Sequence, residues 1–305
     1  MKNNLPSSLG IHLALFSVAC LYGINYNIAK LVTPAFISPS ALVILRVILA
    51  TVLFWLSGIF IKSKSIPRKS IIYLAFCSVF GTAGTQLLFL KGLSLTSPIN
   101  ASVIMTLTPV MVLLIAFLFA GEHLNRFKLG GIILGITGAF FLVGGQKFNF
   151  NGENTLGDII IILNAIVFAS YLVLIKKFMM QYHPVTVIKW VFLLGCPMVL
   201  PFGVNELLNL NWSELPNYIW FSLSYVIIGA TFLVYLLNTI ALSKANPSLV
   251  GFYIYFQPVV STIVAVVFLN EILTLEKIFF SLMIFAGVWL VGKKNKKKPL
   301  QMEKL

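Results

Sequence analysis

The chain has 305 residues, of which 59% are hydrophobic and 10% charged, with a mean hydropathy of +0.98 and a formal net charge of +14. A soluble domain carries roughly a quarter charged residues, so the composition excludes a water-soluble globule and makes a lipid bilayer the solvent. The Lys and Arg residues lie mostly between apolar runs, a pattern of membrane topology and not of a nucleic-acid surface.

Breaking the sequence at charges, prolines and polar clusters predicts ten helical spans, at about 9–32, 39–61, 70–92, 97–120, 127–145, 157–178, 184–203, 216–240, 246–269 and 275–292. A hydrocarbon core of about 30 Å takes about 20 helical residues, and most of these runs reach that length. The first run continues past the length of a signal-peptide core and has no cleavage site, so it is expected to remain as a span. Within it Tyr22 and Asn25 share a helix face, and Lys30 lies near its end, shallow enough to snorkel to the interface. Arg46, inside the second span, is deeper. A base at membrane depth is expensive, so it either snorkels or faces an outer vestibule, where it would attract an anionic group such as a carboxylate.

The third span carries Gln86 after the small-residue run Gly81-Thr82-Ala83-Gly84, and the fourth carries Asn100 and Pro109 before ending at Glu122. Gly131 and Gly135 mark the fifth as a close-packing helix. The longest polar break, QKFNFNGENTL at 146–156, divides the chain into expected units 1–148 and 149–305 with five spans each. Beyond it, the eighth span contains Gly229-Ala230 and the face Tyr235–Asn238. The ninth contains Tyr253, Gln257 and Pro258 and ends at Glu271. These uncharged polar residues are the candidate substrate contacts, although each would also serve as an interhelical hydrogen bond.

The two halves repeat. Pro98 and Pro247, Pro109 and Pro258, Glu122 and Glu271, Lys128 and Lys277, and Gly138 and Gly287 are all separated by 149 residues. Scarce residue types at one offset identify a duplicated unit. Two copies of a five-span unit joined in series enter the membrane from opposite sides, so the predicted fold is all-α, with ten transmembrane helices as two inverted five-helix repeats. Such repeats recur in secondary transporters. With the N-terminus inside, 17 of the 22 basic residues fall on the cytoplasmic side and 5 on the other, with both termini cytoplasmic and the KKNKKK tail as an anchor. Pro109 and Pro258 recur at equivalent places near mid-span, which favours paired hinges over fixed kinks. Glu122 and Glu271 are either gate residues or plain helix-end partners.

No Gly-rich phosphate loop or HExxH motif is present, and His12, His123 and His183 lie far apart. Cys20, Cys77 and Cys196 form no CxxC pair, so neither a metal site nor a disulfide framework is expected. No cofactor is called for. No acid is placed at mid-membrane, which disfavours proton coupling through a buried carboxylate. The remaining partners are the bilayer and a small-molecule substrate, with the oligomeric state left open and a monomer compatible with the pattern. A polytopic receptor or membrane enzyme is the alternative class.

The paired Pro and Glu thirteen residues apart (Pro109 to Glu122, Pro258 to Glu271), with LYGINYNIAKLVTP followed by LVILRVILA at the start, resemble the EamA-type branch of the drug/metabolite transporter superfamily. The resemblance covers both halves, and departs where Val191 or a neighbour stands in the position equivalent to Arg46. It implies a plasma-membrane carrier, often an exporter of amino acids or related metabolites, working by alternating access without ATP. It also implies a central cavity lined by spans 1, 3, 4, 6, 8 and 9, which adds Tyr171 to the candidate contacts.

Single cysteines placed in 62–69 and in 146–156 of a chain lacking Cys20, Cys77 and Cys196 are expected to react with an impermeant maleimide from opposite faces of the membrane. Labelling of both from one face would exclude inversion.

Overall fold

The computed structural model describes residues 8–59, 61, 66–96, 98–119, 125–142, 155–268 and 275–292. All regular structure there is helical. In chain order the helices are α1 (Ser8–Val32), α2 (Pro39–Ile59), α3 (Arg68–Leu95), α4 (Pro98–Met105), α5 (Thr108–Phe119), α6 (Arg126–Leu142) and α7 (Thr155–Gln181). They continue with α8 (Pro184–Val199), the short α9 (Val204–Leu208), α10 (Asn217–Lys244), α11 (Pro247–Phe252), α12 (Phe256–Phe268) and α13 (Leu275–Gly292). Glu122 and Glu271 lie outside the described residues.

Six of these helices, α1, α2, α3, α7, α10 and α8 with the 3-10 turn that follows it, are long and apolar enough to cross a membrane. Large apolar side chains such as Phe16, Leu56, Ile72, Phe76, Ile159 and Phe221 point outward from them. That inside-out exposure suits helices solvated by lipid.

The expected fourth and ninth spans are broken instead of continuous. The α4 helix stops at Met105 and α5 begins at Thr108, while α11 gives way to a 3-10 turn over Tyr253–Tyr255 before α12. Pro109 and Pro258 explain both breaks, because a proline ring collides with the carbonyl four residues earlier and supplies no N–H to it. Those carbonyls belong to Met105 and Ile254, where regular helix is interrupted. The prolines therefore sit in the first turn of a new half-helix, where a missing N–H costs nothing, and not as kinks within a continuous one. Within the described residues neither half reaches spanning length alone.

A second irregularity recurs in α3 and α10. Each contains a π-helical segment, Val79–Gly84 and Tyr225–Leu233, ending at positions 149 residues apart. Widening the helix shifts its backbone bonds and leaves a carbonyl needing an outside donor. Gly81 O accepts from Tyr235 Oη at 2.9 Å, and the equivalent Ala230 O accepts from Arg46 Nη2 at 3.4 Å.

The contacts between the two copies are reciprocal. A Cβ added at Gly138 would lie 2.8 Å from the Phe280 carbonyl oxygen, and one added at Gly287 would lie 2.7 Å from that of Gly131. Each residue of the first contact is 149 positions from its counterpart in the second. These two glycines let α6 and α13 touch backbone to backbone, the packing that small residues allow when lipid offers no hydrophobic drive. Gln86 Nε2 donates to Tyr235 Oη at 3.2 Å, a bond between residues that are themselves 149 apart. Contacts of the form i to j′ matched by i′ to j mark a two-fold relation.

Each copy also caps its long π-containing helix with a lysine. Lys30 Nζ donates to the carbonyls of Leu93 (2.8 Å), Ser94 (3.1 Å) and Thr96 (2.8 Å). Lys176 Nζ donates to those of Leu242 (2.5 Å) and Ala245 (2.8 Å), the equivalents of Leu93 and Thr96. Lys30 therefore does not snorkel freely; it closes the C-terminus of α3, where a cation meets the orphan carbonyls and the negative end of the helix dipole.

Replacing either lysine, as Lys30→Met or Lys176→Met, is expected to cost about 2 kcal/mol, the scale of charge-assisted hydrogen bonds. Thermal unfolding in detergent should show a lower midpoint for each, and additive losses in the double variant.

Candidate functional site

Where the helices of the two copies meet, they leave a cavity of about 420 Å³. The α1 helix contributes Tyr22 and Tyr26, α2 Arg46, α3 Thr85, Gln86 and Phe89, α4 Met105, α7 Asn164 and Phe168, α10 Tyr235, and α12 Gln257. A smaller cavity of about 240 Å³ shares Tyr22, Phe168 and Gln257 with it and is completed by Asn238 and Tyr253, among others. The helical breaks are what bring Met105 and Gln257 to the wall. Met105 ends α4, and Gln257 lies in the first turn of α12.

The polar groups are held from behind. Tyr26 Oη donates to Gln257 Oε1 at 2.9 Å, tying α1 to α12. Tyr235 Oη accepts from Gln86 and donates to Gly81, tying α10 to α3. Arg46 Nε donates to Thr231 Oγ1 at 2.8 Å, and that hydroxyl donates to Val226 O at 2.7 Å inside the π segment. On the other side of the two-fold relation, Thr82 Oγ1 donates to the Val191 carbonyl at 3.3 Å. The two threonines are equivalent, but one meets a cation and the other a backbone carbonyl. Electrostatic asymmetry between the halves is therefore concentrated at Arg46.

Of the residues singled out from sequence, Tyr22, Arg46, Gln86, Tyr235 and Gln257 line the larger cavity, and Asn238 and Tyr253 line the smaller. Tyr253 Oη also shares a 2.6 Å hydrogen bond with His12 Nδ1. Asn25 is fully buried and lines neither cavity, with no hydrogen-bond partner for its amide. Tyr171 lines neither cavity; its ring packs on Gly81, where an added Cβ would lie 2.3 Å from it. Asn100 belongs to α4, but its side chain is outside the described residues. Arg46 is 1% exposed and lines the larger cavity.

Tyr26, Thr85, Phe89, Met105, Asn164 and Phe168 were not among the sequence candidates. Tyr26 lies one turn after Tyr22, and helical spacing alone would have found it. Asn164 is a lone amide in the run IIIILNAIVF, the signature of an interior-facing polar residue. Its Nδ2 donates to Met105 Sδ at 3.4 Å, leaving Oδ1 buried without a donor. Thr85, Phe89, Met105 and Phe168 carry no signal that separates wall from packing in so apolar a chain. Among the described residues, no group of His, Cys, Asp and Glu could hold a metal ion. Asp158 is buried in the first turn of α7, accepts from Thr96 Oγ1, and stands away from both cavities.

The model of the EamA-like transporter family matches residues 8–144 and again 155–293. The chain is similar to "Uncharacterized transporter YyaM" of Bacillus subtilis (strain 168), at 24% identity over 84% of this chain and 85% of that one. It is 27% identical to an "Uncharacterized transporter" of Archaeoglobus fulgidus over 85% of this chain and 91% of that one. It is 23% identical to "WAT1-related protein At3g18200" of Arabidopsis thaliana over 94% and 80%. A solved crystal structure superposes with a TM-score of 0.74 at 19% identity, covering 94% of this chain and 97% of its own, a likeness of fold.

Tyr235→Phe removes both the donor to Gly81 and the acceptor of Gln86. It is expected to cost about 1–2 kcal/mol, seen as a lower thermal midpoint, with Phe192→Leu, which loosens packing on the same ring, as the comparison for a purely apolar loss.

Proposed function

The chain belongs to the EamA-like transporter family, and on that footing we propose that it is a secondary transporter, an exporter or exchanger of small metabolites with amino acids among the classes to test. The observation that carries this reading is the central cavity of about 420 Å³, walled by helices of both copies and mixing aromatic faces with anchored amides and hydroxyls. A wall of that chemistry suits a small amphipathic solute.

Alternating access follows from symmetry. Five spans per copy is an odd number, so a two-fold relation between copies in one membrane requires inversion, and exchanging the conformations of the copies turns an outward opening into an inward one. We assign ten spans, counting α4 with α5 and α11 with α12 as one crossing each, with the copies at 1–148 and 149–305. We assign both termini to the cytoplasmic side of the plasma membrane, a sidedness that the excess of basic residues supports. The moving parts are the half-helices that begin at Thr108 and Phe256. Their breaks need little repacking to swing, because Pro109 and Pro258 have already removed the bonds that would resist. The Arg46 and Gln257 side chains, which line the same cavity, then meet the solute.

The purified chain in proteoliposomes is expected to accelerate uptake or counterflow of at least one member of a panel of amino acids, organic acids, amines and nucleobases over protein-free vesicles. Gln257→Ala should lower that flux about tenfold, the worth of one buried polar contact. Panel-wide flux equal to that of empty vesicles would overturn the reading.

A further inference from the structure

A guanidinium has five N–H donors in a fixed fork and keeps its charge. Arg46 has Nε on Thr231 and Nη2 on the Ala230 carbonyl, but its Nη1 is buried and has no partner. The residue is 1% exposed and lines the central cavity. Among the described residues no carboxylate lines either cavity. A buried cation left without a counter-charge is among the costliest arrangements in a fold. Here it is retained at the wall of a cavity, with both N–H groups of Nη1 still to be used.

The charge that completes the site must come with the solute, and the rest of the wall limits what that solute is. With a single cation, one negative charge is neutralised and a second would be left over, which selects against phosphate esters and dicarboxylates. A zwitterion would neutralise Arg46 only by bringing an ammonium into a wall that holds no acid. The aromatic faces of Tyr22, Tyr26, Phe89 and Phe168 favour an apolar or aromatic body. Asn164 Oδ1, buried without a donor, would accept one further N–H or O–H.

Resting on the transporter reading, we propose that the solute is a singly charged organic acid with an apolar body, its carboxylate bound by the Arg46 guanidinium. Closing the cavity over such an anion leaves it neutral. Closing it over a zwitterion leaves the charge of Arg46 uncompensated.

The test uses the purified full chain in detergent at pH 7, with radiolabelled 3-phenylpropionate as the probe. Competitors are phenylalanine, which adds an ammonium, and 3-phenylpropanol, which removes the charge. The anion is expected to bind at least about tenfold tighter than either. Arg46→Gln should bring the anion down to the affinity of the alcohol while alcohol binding persists, which also reports that the variant is folded. Arg46→Lys should keep the preference for the anion. Equal or tighter binding of phenylalanine or the alcohol, no binding of the anion, or unchanged anion affinity in Arg46→Gln would each overturn the proposal. In the flux panel, a carrier that moves zwitterions and refuses monocarboxylates overturns the charge assignment and leaves transport standing. Absence of any flux overturns transport, while the binding preference is decided separately.

Discussion

A carbonyl released from its helix inside hydrocarbon has to be given another donor, since neither lipid nor neighbouring methyl groups can supply one. The irregular places in this protein, and the side chains that matter most, follow from that constraint. The π segments of α3 and α10 release the Gly81 and Ala230 carbonyls, which are taken by Tyr235 and Arg46. The C-terminal carbonyls of the same two helices are taken by Lys30 and Lys176. Polar side chains at membrane depth are expensive, and here Arg46, Tyr235, Lys30 and Lys176 are spent on backbone carbonyls.

Duplication gives the constraint its form. Equivalent carbonyls are released in each copy, and the donors come from equivalent helices at the two lysine caps but from different ones at the π segments. At the lysine caps the halves agree almost atom for atom. Near the cavity they diverge, with Thr231 accepting from Arg46 in one half and its equivalent Thr82 donating to the Val191 carbonyl in the other, and Gln86 bonded to its own counterpart Tyr235. The shared contacts define a scaffold that both copies keep, whereas the divergent ones define a chamber belonging to neither copy alone. A binding site at the relation between repeats, with scaffold symmetry and chamber asymmetry, is the arrangement by which one duplicated unit acquires a specific solute.

On the proposed alternating-access reading, the broken helices connect this scaffold to motion. A proline in the first turn of a half-helix has no bond to lose when that half rotates, and the half-helices starting at Thr108 and Phe256 end one wall of the chamber with Met105 and Gln257 near their breaks. Thr108 and Gln257 are equivalent by position, yet only the longer amide reaches the cavity, while the threonine hydroxyl stays buried without a partner.

Much of this organisation is legible in the letters. Apolar runs of spanning length, a fixed offset of 149 between scarce residues and the skew of basic residues determine a duplicated helical membrane protein, because length, repetition and charge bias are properties of sequence. Five of the ten substrate candidates fell on the larger cavity for the same reason: polar residues in apolar runs turn inward. Tertiary structure alone decided the rest. A proline marks a bend in sequence, but only packing shows that the chain breaks into two helices there. Asn25 and Tyr22 share a face by periodicity, yet Asn25 is buried away from the cavity and Tyr22 borders it, since a helix in a bundle has neighbours on several sides. Arg46 could be placed at membrane depth from sequence. That its Nη1 is left without a partner depends on where Thr231 and Ala230 stand 185 and 184 residues away.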